Sequence, residues 1–85
     1  DNQYLEQVDM NFVVDNISDI LSKLESFKPK DALAGINNLL KYDIDESIRE
    51  KLNYVANLLS LYEDDKAEDE LHKLVDMYGV EKEID

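Results

Sequence analysis

Eighty-five residues make one domain with a single core layer, burying about 60% of the surface the unfolded chain exposes and leaving no room for a walled-off active-site cavity. Twenty-one acidic side chains against nine basic ones give a formal charge of −12, which repels phosphate backbones and anionic lipid head groups and favours a basic protein partner over nucleic acid or membrane. The absence of Cys excludes disulfides and thiolate chemistry, and no apolar run approaches the roughly 18–20 residues that span a bilayer.

Two glycines and one proline are too few for a turn-rich β-sandwich, while 44% hydrophobic residues are ample for a core. The expected fold is all-α, a small antiparallel bundle of three to four helices, with residues 1–85 forming one acidic helical domain. The first helix is predicted within residues 3–27, as one helix or two. Val13, Ile17, Ile20, Leu24 and Phe27 recur at helical steps, and Leu5, Val8 and Phe12 keep such a spacing upstream. Asp9 to Asn11 is a poor helix interior, and Asp15 or Asn16 is a candidate cap.

Lys28-Pro29 ends that helix, because the residue before a proline avoids the α region and Pro suits the first turn of the next helix. The second helix is predicted over 29–41, burying Leu33, Ile36 and Leu40, with Gly35 marking a close approach of two helices. A third covers 46–62, where Ile48, Leu52, Val55, Leu59 and Tyr62 form a continuous stripe. Asp45 caps it, and Ser47 with Glu50 has capping-box spacing. Tyr54, Leu58 and Leu61 widen its apolar face beyond the needs of one neighbour. A fourth helix over 65–78 buries Ala67, Leu71, Leu74, Val75 and Tyr78, carries Glu63, Asp64 and Asp65 at its N-terminus, and stops at Gly79. Short connections of three to five residues make neighbours antiparallel. An echo of Asn38-Leu39-Leu40 in Asn57-Leu58-Leu59 hints at stacked helical hairpins.

The inventory for catalysis is poor, and neither an enzyme nor a cofactor or metal site is expected. His72 is the single histidine, on the edge of an amphipathic stripe, which excludes a His-rich metal centre. No Gly-x-Ser-x-Gly elbow and no phosphate-cradling glycine loop is present. Carboxylates abound, but acid–base work needs a pair in unlike environments, and these fall on solvated faces and turns. A calcium loop starting at Asp43 has acceptable ligands in Asp43, Asp45 and Ser47, but Ile48 stands where Gly is required and Tyr54 where Glu is required. In length, acidity and helix content the chain resembles acyl carrier proteins, yet their Asp-Ser-Leu attachment motif is replaced by Glu46-Ser47-Ile48. In the same bulk properties it resembles colicin-type immunity proteins, acidic bundles that block a basic nuclease, without their local motif residues.

What remains is surface. Residues 1–42 carry seven acids and four bases, and residues 43–85 carry fourteen and five, so the negative field centres on the turns around the third helix and on the fourth. Each turn is preceded by a tyrosine able to anchor an Arg- or Lys-rich partner. The expected function is a non-catalytic protein–protein interaction module, an inhibitor, immunity or antitoxin-like protein or an adaptor. Its expected contact residues are Tyr42, Asp43, Asp45, Glu46, Tyr54, Leu58, Leu61, Tyr62, Glu63, Asp64 and Asp65. One alternative is a nucleic-acid mimic that occupies a DNA- or RNA-binding protein. Another is a self-associating homo-oligomer, with Asn37, Asn38, Asn53 and Asn57 as interface polar groups. Solubility alone also accounts for excess carboxylates in many small domains. The expected compartment is the cytoplasm; because the chain begins at Asp1, the lack of a leader pattern weighs little.

Overall fold

In a computed structural model that describes residues 4–82, the apolar stripes become four helices: α1 (Met10–Glu25), α2 (Pro29–Leu39), α3 (Glu46–Ser60) and α4 (Asp64–Lys82). Among the described residues there is no strand. Connections of three, six and three residues (26–28, 40–45 and 61–63) force each helix to fold back on its predecessor. Contacts between α1 and α4 close the ring, so the bundle is antiparallel throughout. The radius of gyration, 12.3 Å, is close to the value of about 12 Å expected of a compact chain of this length. No helix is long and apolar enough to cross a membrane among the described residues.

The core carries an unforeseen regularity. A shift of 35 residues lays the buried positions of the α1–α2 hairpin onto those of α3–α4: Val13 on Ile48, Ile17 on Leu52, Ile20 on Val55, Leu24 on Leu59, Ala32 on Ala67, Ile36 on Leu71 and Leu39 on Leu74. Two hairpins of one design are thus packed face to face. The sequence echo of 38–40 with 57–59 is not this relation; it pairs the end of α2 with the last turn of α3 at a shift of 19 residues. The pairing is incomplete: the buried Leu21 matches the half-buried Ala56, the buried Leu58 matches Lys23, and Val14 matches the buried Arg49. The Arg49 guanidinium donates to the carbonyls of Leu40 at 2.8 Å and Tyr42 at 2.7 Å, satisfying backbone acceptors that the end of α2 leaves open.

Residues 4–9 are not helical, although Leu5, Val8 and Phe12 have helical spacing. They run as a strap along the α2–α3 connection. The Leu5 N–H donates to the Lys41 carbonyl and the Asp43 N–H to the Glu6 carbonyl, while Gln7 and Asp43 form an isolated parallel bridge. Arg49 sits 4.0 Å from the Tyr4 ring centroid, which fastens the strap from beneath. Helix α1 begins instead at the Asp9 cap, whose Oδ1 accepts the Phe12 N–H at 2.9 Å. Neither Asp15 nor Asn16 caps it; both lie inside the helix.

The ends of all four helices differ from expectation. Helix α2 stops at Leu39, with Ala32 and Leu39 buried beside Ile36 while Leu33 and Leu40 are only half-buried. Helix α4 passes through Gly79, which holds helical backbone and no positive φ. Helices α1 and α3 both end two residues earlier than their stripes suggest, at Glu25 and Ser60. In contrast, Gly35 does mark a close approach: a Cβ there would stand 2.8 Å from Cγ1 of the buried Ile20.

Candidate functional site

Both hairpins turn in the same way. After α1, the Phe27 N–H donates to the Leu24 carbonyl and the Lys28 N–H to the Lys23 carbonyl; after α3, Tyr62 donates to Leu59 and Glu63 to Leu58. These are two Schellman motifs, which require a left-handed residue just past the helix and normally take glycine there. Here the left-handed residues are aromatic, Phe27 at φ 62° and Tyr62 at φ 60°. Each position costs roughly 1–2 kcal/mol relative to a right-handed one. Each ring is 91% exposed, so burial returns nothing for that strain.

Periodicity placed both residues in the core because each follows the last core leucine by three. The αL step swings the side chain away from the helix axis and out to solvent. The signal against burial was the break beyond each, Lys28-Pro29 after one ring and Glu63-Asp64-Asp65 after the other.

The two turns lie at the same end of the bundle, where a groove opens beside the second of them. Pro29, Lys30 and Leu33 of α2 face Leu59 and Ser60 of α3, with Tyr62 and Asp64 completing an open depression of about 240 Å³. Pro29 and Lys30 also line the neighbouring hollow with Phe27. The groove is largely apolar, and α2 and α3 are the least closely packed of the neighbouring helices. Its two margins differ in charge. Lys28 and Lys30 flank Phe27, while Glu63, Asp64 and Asp65 gather beside Tyr62.

The remaining expected contact residues do not form one surface. Helix α3 has 15 residues, so at about 1.5 Å per residue its two acidic turns stand roughly 22 Å apart at opposite ends of the bundle. At the far end, Asp45 is occupied as the α3 cap, its Oδ1 accepting the Ser47 N–H and its Oδ2 lying 3.1 Å from the Ser47 hydroxyl. Glu46 is exposed, 3.7 Å from the Arg49 Nε. Asp43 is tied to the strap through its backbone. Tyr42 covers the end of the core rather than standing free: it is half-buried and packs edge-on against Phe12, ring centroids 5.1 Å apart.

Leu58 turns into the core at 6% exposure and leaves the surface set, so the second stripe of α3 does not form a continuous apolar face. Tyr54 and Leu61 are exposed on its flank, 47% and 60%. Asn37, Asn38, Asn53 and Asn57 are all exposed.

Among the described residues, two side chains have displaced pKa values, and both sit in ion pairs. Lys23 is raised by its hydrogen bond to Asp19 at 2.7 Å, on the exposed face of α1. Partial burial alone would push the Glu70 carboxyl up, but hydrogen bonds from Lys73 and Lys51, with their charges, outweigh it and hold the group below its ordinary value. Lys51 lies on α3, so Glu70 ties α4 to α3. Neither arrangement is a catalytic pair. No family model, no curated protein and no solved structure matches the chain.

Proposed function

We propose that this chain is a non-catalytic protein-interaction module, of inhibitor, immunity, antitoxin-like or adaptor kind, that grips a basic partner protein at the hairpin-turn end of the bundle. The observation that carries the reading is the pair of αL aromatics. Backbone strain without compensating burial persists where another requirement selects it, and a rigid exposed ring is an economical anchor for a partner. Between the rings, the α2–α3 groove accepts an apolar side chain, and Glu63, Asp64 and Asp65 supply the field that attracts a basic segment. The acidic turn at Asp43, Asp45 and Glu46 contributes to long-range attraction rather than to contact.

The test is capture from lysate by three immobilised proteins across a salt gradient: the parent, Phe27→Ser with Tyr62→Ser, and Asp43→Asn with Glu46→Gln. A partner held by the parent and by the far-end variant, but lost from the aromatic variant at unchanged helical circular dichroism, is the expected result. Equal retention by all three sinks the reading. Release by added DNA would point instead to a nucleic-acid mimic, and a concentration-dependent dimer mass abolished by the aromatic variant would point to self-association.

A further inference from the structure

Glu25 is the last residue of α1, while Glu68 and His72 stand one turn apart on α4. A spacing of four residues aims Glu68 and His72 from one helical face at a common point, and α1 delivers Glu25 to the same point. The His72 Nε2 lies 3.3 Å from the Glu25 Oε2. One ligand atom from each of the three residues lies within 4.8 Å of the others. In a tetrahedral zinc site with bonds of about 2.0–2.2 Å, neighbouring ligand atoms stand roughly 3.3–3.6 Å apart. The Glu25–His72 edge is therefore already at ligand spacing, and closing the rest takes movements on the order of 1 Å from partly exposed side chains.

We propose that Glu25, Glu68 and His72 form a surface site for a zinc-class divalent cation, with its fourth position open to water. A bound cation would offset the mutual repulsion of Glu25 and Glu68 and take one ligand atom from each of the three side chains. The imidazole selects a borderline ion such as zinc over magnesium or calcium, which take larger sets of oxygen ligands. Bound metal links the end of α1 to α4 two residues before Phe27. This site stands apart from the docking groove and does not rest on the function proposed above.

His72 is the chain's single histidine, so its ring gives one unambiguous set of NMR signals. Zinc chloride titrated into the chelator-treated protein is expected to saturate at one ion per chain, to move the His72 ring signals in step with calorimetric binding, and to raise the melting temperature. Glu68→Gln is expected to weaken binding about tenfold or more, and His72→Gln to reduce it to the diffuse binding of an acidic surface. Glu6→Gln with Glu50→Gln, which removes two exposed carboxylates at the opposite end of the bundle, is the control and keeps the parent affinity. Saturation without movement of the ring, or equal affinity in the parent and His72→Gln at unchanged circular dichroism, overturns the site.

Discussion

At the scale of single residues, the two glycines test opposite readings of one residue type. Gly35 is covered by Ile20, which is itself 1% exposed and has nowhere to move. Gly35→Ala gains about 1 kcal/mol of helix propensity but overpacks a filled core, typically at about 1–3 kcal/mol. The expected net result is destabilisation, read as a lower denaturation midpoint at unchanged slope. Gly79 is helical with only a 3.8 Å contact to Val75, so Gly79→Ala should stabilise by up to about 1 kcal/mol in the same assay. Phe27 and Tyr62 belong here too. Replacing either with glycine relieves about 1–2 kcal/mol of αL strain against about 0.5–1 kcal/mol of added chain entropy. Each variant should melt at the parent temperature or slightly above it while losing partner capture. A clear fall in melting temperature would mean that the rings serve the fold.

At the scale of elements, caps and strap decide where helices begin. Asp9→Ala removes the acceptor for the Phe12 N–H and should cost about 1 kcal/mol, with fraying of the first turn of α1 visible as faster amide exchange at residues 10–13. Unchanged protection there would place the start of α1 under control of the strap instead. Asp45 and Pro29 were legible as helix starts because capping and proline geometry act within a few residues. The strap was not. Its hydrogen bonds join residues 5–7 to 41–43, and the spacing of Leu5, Val8 and Phe12 suits either a helix or an extended segment covering a loop.

At the scale of the whole molecule, the surplus of carboxylates makes acid the informative perturbation. Glu70 has a depressed pKa, so its ion pairs contribute stability above its unfolded-state value, near 4.5, and lose it as pH falls through the lower folded-state value. Stability should therefore decline below about pH 4.5, and Glu70→Gln should decline less steeply because Lys51 and Lys73 no longer have a titrating partner. Parallel acid profiles for parent and variant would deny Glu70 that role. High salt should act in the opposite sense on the molecule at large, screening the repulsion that a charge of −12 imposes.

Local spacing by itself determined that this chain forms a bundle of three to four amphipathic helices, that they reverse direction at short turns, that Asp45 caps the third and that Gly35 lies against a neighbour. Each of these depends on groups a few residues apart, or on the absence of a side chain. A local αL step, signalled only by the break after each ring, took Phe27 and Tyr62 out of the core. Tertiary structure alone decided that Leu58 enters it, that the acidic turns part to opposite ends, and that Arg49 fastens the α2–α3 connection. It also joined Glu25 to Glu68 and His72. The physical reason is shared: three residues beyond a core leucine is a buried position while the helix continues and an exposed one once the backbone steps into αL, and side chains more than forty residues apart meet only when the path of the chain returns them to one place.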